Sequence, residues 1–414
     1  MAGLEARDGL LGVVGAGTMG AGIAQVAAGA RWHVVLVDAR PGAAEAAVGR
    51  VAAALARLVE KGRLIPAQRD ERLSRLRPAR GLGELAPAAL VIEAIHEDLS
   101  AKRAVVAELG ALLSDPAVIA TNTSSLSVTA IAAAARLPAR ALGIHFFNPA
   151  PLMEVVEVVP ALQTEPGVVQ ECVELLRAWG KDPVVVRDTP GFLVNRVARP
   201  FYGEALRLVE EGLATPEEVD AAMKTEAGFR MGPFELMDLI GNDVNFAVTE
   251  SIFRGTGFDR RYLPSALQQR HVEAGYLGRK CGRGFYTYPP GPVAPVRVDP
   301  ERARWIARRV LALLINEAAE ALRTRLALAD DIERAMTGAS HYPKGLLHWA
   351  DELGASEVVV TLEELFGTYG DMRYRPSPLL SSMARKGTKF FPADVPGARE
   401  GARAARPAAR TAKP

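Results

Sequence analysis

The 414-residue chain predicts an α/β domain built on a parallel sheet, followed by two copies of an all-helical domain. Three observations carry that prediction. Short Val/Ile/Leu runs alternate with Ala-rich stretches of helical spacing through the first half of the chain. After the turn Asp188-Thr189-Pro190-Gly191 the pattern becomes almost wholly helical. Finally, adding 113 to a position in 196–241 lands on a similar residue.

Strands are expected at 11–14, 34–37, 90–93, 118–121, 141–145 and 155–158, with a further run at 183–186. The boundary falls near Thr189, so residues 1–188 form the first domain. In the repeat, EALRLVEEGLATPEEVDAAM (204–223) lies over EAAEALRTRLALADDIERAM (317–336). Gly232 lies over Gly345, Asp238 over Asp351 and Gly241 over Gly354; after one gap, Tyr262 pairs with Tyr374. Shared glycines and aspartates are not explained by two unrelated Ala/Leu-rich helices, so duplication is the expectation. It gives helical domains at 189–288 and 301–390, joined by a stiff linker at 289–300 that contains Pro289-Pro290-Gly291-Pro292. Residues 391–414 carry too few large apolar groups to offset chain entropy and are expected to be disordered.

Lys+Arg of 50 against Asp+Glu of 48 gives a net charge of +2, which argues against a nucleic-acid surface or a polybasic membrane patch and for a small-molecule partner. Cys172 and Cys281 are the only cysteines and have no CxxC spacing, so neither a disulfide framework nor a metal site is expected, and a reducing compartment fits. The first strand begins about ten residues in, without an export signal ahead of it, and the apolar runs are too short to span a membrane. The expectation is a soluble cytoplasmic protein.

GAGTMG, comprising Gly15, Ala16, Gly17, Thr18, Met19 and Gly20, follows the first strand and opens a helix, and Asp38 ends the second strand. Strand, glycine turn, helix and acid together are the dinucleotide-binding fingerprint of a Rossmann-type domain, with pyrophosphate on the helix N-terminus. Asp38 suits ribose hydroxyls and repels a 2′-phosphate, which favours NAD over NADP; Arg40 nearby softens that preference.

A polar cluster stands out beyond this unit: Ser124 in ATNTSSL, His145 in GIHFFNP, Glu157 in MEVVEVV and Asn195 in DTPGFLVNR. Oxidising a secondary alcohol needs a base near neutral pKa to take the hydroxyl proton as hydride leaves, and an imidazole backed by a carboxylate supplies one. GAGTMG, IEAIHEDLSAK, TNTSSL, HFFNPAPLMEVVEVV, DTPGFLVNR and MGPFELMDLIG, in this order, resemble the L-3-hydroxyacyl-CoA dehydrogenase family from Leu10 to about Tyr288. The second helical repeat resembles the duplicated C-terminal domain of bacterial members that act on 3-hydroxybutyryl-CoA or, in phenylacetate breakdown, on 3-hydroxyadipyl-CoA.

The resemblance implies that His145 is the general acid/base, that Glu157 orients it, and that Ser124 and Asn195 hydrogen-bond the reacting oxygen. It also implies NAD contacts at Glu97, Lys102, Ser124 and Asn148, with Arg270 standing where a lysine is commoner. Read from the residues alone, Glu97 and Lys102 would pass for a solvated pair on a helix face. The anionic acyl-CoA calls for basic contacts, for which Lys61, Arg63 and Lys102 are candidates. At the fixed offset Asn195 maps to Arg308 and the preceding TPGF to 302–305, so the second copy is expected to be structural. Relatives with one helical domain pair it across a dimer interface, so a monomer with an internal pseudo-dimer, or a homodimer, is expected. The competing readings are a dehydrogenase of a free β-hydroxy acid, which commonly uses a lysine in place of the His/Glu pair, and a non-catalytic NAD-binding protein.

Overall fold

A computed structural model describes residues 9–289 and 297–392. Most of the expected linker, from Pro290 to residue 296, and all but the first two residues of the expected disordered tail lie outside the described residues.

Eight strands form one sheet in the order β3-β2-β1-β4-β5-β6-β7-β8. They are β1 (Leu10–Val14), β2 (His33–Val37), β3 (Leu76–Ala79), β4 (Leu90–Glu93), β5 (Val118–Thr121), β6 (Ala141–Phe146), β7 (Val155–Pro160) and β8 (Asp182–Val185). The order reverses at β1, between β2 and β4, which is the switch point where such sheets open a crevice for a ligand. α1 (Thr18–Gly29), α2 (Ala43–Glu60), α3 (Pro66–Ser74), α4 (Leu99–Leu112), α5 (Val128–Ala132) and α6 (Pro166–Ala178) connect the strands.

The sheet is not wholly parallel, contrary to the sequence expectation: β7 pairs antiparallel with β6, and β8 runs parallel to β7. Only residues 147–154 join β6 to β7, whereas a parallel return needs a crossover of roughly a dozen residues or more. The strand therefore has to turn back. β3 also goes beyond the sequence expectation, because its four residues LRPA carry a proline and only two of them are buried; such a strand belongs at an edge. Both faces of the sheet are apolar. Leu11, Val13, Leu36, Ile92 and Ile144 pack in the core that includes α1, α2 and α6, while Val14, Val35, Val91 and Ile119 belong to the core shared with α4, α5 and the helical half of the molecule.

That half comprises α7 (Val194–Val197), α8 (Arg199–Glu210), α9 (Pro216–Ala227), α10 (Pro233–Ile240), α11 (Asn242–Gly255), α12 (Ala266–Glu273), α13 (Pro300–Arg323), α14 (Ala329–Ala339), α15 (Leu346–Leu353), α16 (Ala355–Tyr369) and α17 (Pro378–Lys386). Their ends follow capping chemistry. At the start of α9 the Thr215 hydroxyl accepts from the Glu218 N–H while the Glu218 carboxylate accepts from the Thr215 N–H, and Gly228 closes the helix in the left-handed region. α13 is the centre of the half, buried along most of its length and packed on α8, α9, α15, α16 and α17. No helix among the described residues is long and apolar enough to cross a membrane.

The last helices also reach back to the sheet. The Arg187 N–H donates to the Leu326 carbonyl at 3.0 Å and its Nη1 to the Thr324 carbonyl at 2.8 Å. Arg334 pairs with Asp182 of β8. Gly338 of α14 lies so close to β7 that a Cβ there would come within 2.5 Å of Val155 Cγ2. Gly338→Ala should therefore cost about 1–3 kcal/mol through overpacking against a stiff β-branched side chain. Denaturant unfolding at equal m-value measures it, and an unchanged midpoint would refute the contact.

Candidate active site

The crevice above β1 and β4 is shaped by three glycines with different tasks. Gly15 has φ +102°, and a Cβ on it would sit 2.5 Å from the Ala94 carbonyl oxygen. A Cβ on Gly20 would fall 1.8 Å from the Gly15 carbonyl oxygen, so only glycine lets α1 start there. A Cβ on Gly17 would meet nothing within 4 Å, so the space in front of the first turn of α1 is free for a phosphate to approach the backbone. Ala16, Thr18 and Met19 complete the turn. At the end of β2, Asp38 Oδ2 accepts from the Ala16 N–H at 2.8 Å, and its Oδ1 accepts from the Arg40 N–H at 2.9 Å and from Arg40 Nε at 3.2 Å. Burial raises its pKa, but those donors outweigh it and hold the carboxyl below its ordinary value. The residues present fit a dinucleotide: open glycine backbone for pyrophosphate and an ionised acid for ribose hydroxyls.

A second layer stands at the ends of β4 and β5. Glu93, fully buried, accepts from Lys102 Nζ at 2.8 Å, Thr121 Oγ1 at 2.6 Å and the Ile95 N–H at 2.7 Å. Glu97 receives Lys102 at 3.3 Å and gathers the TNTSSL loop: its Oε1 accepts from Thr123 Oγ1 at 2.6 Å and from the Ser124 and Ser125 N–H groups at 2.9 and 3.1 Å. Burial raises the Glu97 pKa, yet Lys102 and these donors bring it below the ordinary glutamate value. One sequence expectation changes here. Lys102 is 1 % exposed and held between two carboxylates, so it is not a cation presented to CoA. Glu93 was missed because it reads as the last residue of an apolar strand; the acid closing LVIE nine residues before a lysine was the available signal.

His145 and Glu157 are direct partners across the antiparallel β6–β7 pair, so their side chains emerge on one face of the sheet. His145 Nδ1 lies 2.6 Å from Glu157 Oε2. Glu157 Oε1 accepts from the Leu193 and Val194 N–H groups at 3.0 and 2.9 Å, at the start of α7, which carries Asn195. Phe147 and Phe192 flank the imidazole, with ring centroids at 4.6 and 5.8 Å. Ser124 and Asn195 are half-buried and Asn148 is exposed just past β6. Arg270 is not brought to this site: it is exposed on α12, its Nε bonded to the Ala266 carbonyl of its own helix, and α12 packs on α11 and α8.

Beside the glycine loop, a cleft of about 740 Å³ runs between α1, α2 and the loop after β6. Arg50, Arg57, Arg72 and Lys181 line it together with Leu58 and Leu152. Lys61 and Arg63 fall in the exposed turn beyond α2 and are not part of that lining. Arg50 and Arg57, seven residues apart on one face of α2, were legible as a pair by helical spacing.

Comparison with known proteins gives a consistent result. The family described as 3-hydroxyacyl-CoA dehydrogenase, NAD binding domain, matches residues 10–189, and the family described as 3-hydroxyacyl-CoA dehydrogenase, C-terminal domain, matches 191–288 and 305–389. The chain is 38 % identical to a 3-hydroxyadipyl-CoA dehydrogenase of Escherichia coli, over 90 % of this chain and 96 % of that one. It is 42 % identical to a probable 3-hydroxybutyryl-CoA dehydrogenase of Bacillus subtilis, over 67 % of this chain and 96 % of the other. Among solved structures, a 3-hydroxybutyryl-CoA dehydrogenase from Escherichia coli superposes with a TM-score of 0.88 at 37 % identity, covering 92 % of this chain and 99 % of that one.

The Glu93–Lys102 pair supplies a test that needs no substrate. Lys102→Met leaves Glu93 buried without its cation, and the loss should be about 3–5 kcal/mol of stability. Adding Glu93→Gln should recover most of it, which a double-mutant cycle measures; additive losses would show that the pair is not coupled.

Proposed function

Because the chain belongs to the 3-hydroxyacyl-CoA dehydrogenase family and is an NAD-dependent oxidoreductase, we propose that His145, Glu157, Ser124 and Asn195 carry its chemistry. The observation that carries this reading is the 2.6 Å contact of His145 Nδ1 with a carboxylate that is itself fixed by two backbone N–H groups. With Glu157 ionised, the imidazole proton resides on Nδ1 and Nε2 presents its lone pair. Nε2 takes the proton of the 3-hydroxyl as the C3–H bond breaks, and Glu157 stabilises the imidazolium that results. Gly15–Gly20 and Asp38 would hold NAD, which would supply the acceptor for the hydride leaving C3. Ser124 and Asn195 hydrogen-bond the 3-oxygen and keep C3 aligned; Phe147 and Phe192 exclude water from the imidazole. In the reverse direction the imidazolium returns its proton to a 3-ketoacyl thioester. Glu97 and Lys102 act by holding the Ser124 loop, and Asn148 stands at the rim of the cofactor crevice.

The substrate is an L-3-hydroxyacyl-CoA of short chain, 3-hydroxybutyryl-CoA or 3-hydroxyadipyl-CoA, the two classes for which the relatives compared above are named. The basic cleft of Arg50, Arg57, Arg72 and Lys181 suits the CoA phosphates, and its apolar walls suit the adenine and the pantetheine chain.

The second helical unit is a duplicate of the first that packs on it as a dimer partner would. Supporting this, α9, α10 and α11 begin 113 residues before α14, α15 and α16. Asp220 accepts from the Phe234 and Glu235 N–H groups as Glu333 does from those of Leu347 and His348. The contacts between the units are reciprocal. Glu204 meets Arg309 and Tyr374, while Glu317 meets Arg196 and Tyr262, each residue and its counterpart 112 or 113 positions apart. That exchange is the signature of a two-fold interface. Arg308, at the position of Asn195, pairs with Glu357 and Thr361 instead of reaching a site.

Two experiments test the reading. Following NADH absorbance with NAD and a panel of L-3-hydroxyacyl-CoAs should show turnover, and His145→Gln should lower kcat by roughly 10²–10⁴ with NAD affinity retained. A variant with wild-type rate would remove His145 from its role. Deleting residues 299–414 should uncover the apolar faces of α8 and α9 and leave a chain that dimerises or aggregates in sedimentation; a soluble monomer would count against the pseudo-dimer.

A further inference from the structure

Arg199, the first residue of α8, is 5 % exposed, yet every group that holds it is neutral. Its Nε donates to the Asn195 carbonyl at 2.7 Å, and its Nη1 donates to Thr249 Oγ1 at 3.0 Å and the Asn245 carbonyl at 3.4 Å. The Tyr202 ring lies 4.8 Å from its Cζ. Among the described residues no carboxylate comes within ion-pair distance of Arg199, and Nη2 makes no hydrogen bond. Its neighbours differ: Arg196 and Arg261 are paired with Glu317, and Arg309 with Glu204. Glu204 and Glu317 line the same crevice as Arg199 but are taken by those partners. Burial accordingly pushes the Arg199 guanidinium below its ordinary value, whereas in Arg196, Arg261 and Arg309 acidic and phenolic partners overcome burial and the shift is upward.

A second observation points the same way. Tyr342, 5 % exposed, packs its ring 5.8 Å from that of Phe201, two residues along α8 from Arg199, and 4.9 Å from that of Phe229, and its hydroxyl has no hydrogen-bond partner. It comes from the second helical unit; the first unit has Phe229 at the matching position. An uncompensated buried cation and an unpartnered phenol are both costly unless an anion joins them. Arg199 stands four residues, about 6 Å of helical rise, beyond Asn195 across the α7–α8 junction, and its Nε reaches back to the Asn195 carbonyl. With Asn195 at the 3-oxygen, the terminal carboxylate of a six-carbon diacid lies three carbon–carbon bonds past C3, a span comparable with that rise.

We infer that Arg199, with Tyr342 packed on the adjoining Phe201, receives the terminal carboxylate of a dicarboxylic 3-hydroxyacyl-CoA and makes the enzyme select such thioesters over methyl-ended ones. The inference rests on the dehydrogenase reading of the site and names its substrate class. It also gives the second helical unit a residue in substrate selection.

The test compares kcat/KM for 3-hydroxyadipyl-CoA and for 3-hydroxyhexanoyl-CoA, which has the same chain length and a methyl end, in the full-length enzyme and in Arg199→Met and Tyr342→Phe. Wild type should favour the diacid at least tenfold. Because Arg199 also holds the Asn195 carbonyl, Arg199→Met should lower both rates, but the diacid-to-methyl ratio of kcat/KM should fall by about 30-fold or more, mainly through KM for the diacid. Tyr342→Phe, which keeps the ring and its packing, should lose several-fold on the diacid alone and carries the test if Arg199→Met fails to fold. Equal use of both substrates by wild type, or parallel losses on both in the variants, would overturn the inference. Wild type inert toward every thioester while still binding NAD would instead overturn the dehydrogenase reading beneath it.

Discussion

The carboxylate of Glu157 is the point on which the site and the fold both depend. It is fully buried in the sheet, with one oxygen on His145 and the other on the Leu193 and Val194 N–H groups. A buried carboxylate is tolerated only when such partners replace water. Its three partners come from two different structural units, the β6–β7 pair and the first turn of the helical half, so one charge ties the imidazole to the helix that carries Asn195. The domains cannot shift relative to one another at this point without leaving a charge unpaired, which keeps Asn195 in register with His145.

The same device recurs away from the reaction centre. Asp188 accepts from the Val128 and Thr129 N–H groups and fixes the turn before α7 to the start of α5. Asp238 accepts from the Phe285 and Tyr286 N–H groups, and Asp351 from those of Phe390 and Phe391. In each case a short acid placed at one element captures the free N–H groups of another, so the backbone donors that helix starts and turns leave unpaired become tertiary links. Long-range order in the helical half is therefore set by single carboxylates as well as by apolar packing.

How far the sequence could be read follows from whether a feature is local. Seven of the eight strands and the glycine turn with Asp38 were legible because each rests on a short run of residues with a period or a spacing, whereas His145, Glu157 and Asn195 were singled out through the resemblance of the motifs that carry them. The reversal at β7 depended on the length of one connection rather than on the strand itself, and β3 depended on an edge position that makes few apolar demands. The partner of Lys102 was not legible because helical spacing places a lysine on a face but does not say what that face meets; here it meets Glu93 at the end of a strand. Arg199 was invisible for the same reason, since its character lies in the partners it lacks.

On the proposed reading that the second helical unit duplicates the first, the two units show what one covalent chain permits that a symmetric dimer does not. In a dimer of identical chains every substitution at an interface appears twice, and a change that suits one side must suit the other. Joined in one chain, the units keep the reciprocal Glu204–Arg309 and Glu317–Arg196 contacts that hold them together, while positions off that axis are free to diverge. Asn195 and Arg308 have done so, one facing the substrate on the proposed reading and the other in a surface ion pair with Glu357. Phe229 and Tyr342 have done so too, a ring without a hydroxyl against one with an unpartnered buried hydroxyl, the two rings packed on one another and on Phe201. On that reading, difference at these pairs, with the charges between the units retained, separates the residues that hold the units together from those proposed to act on the substrate.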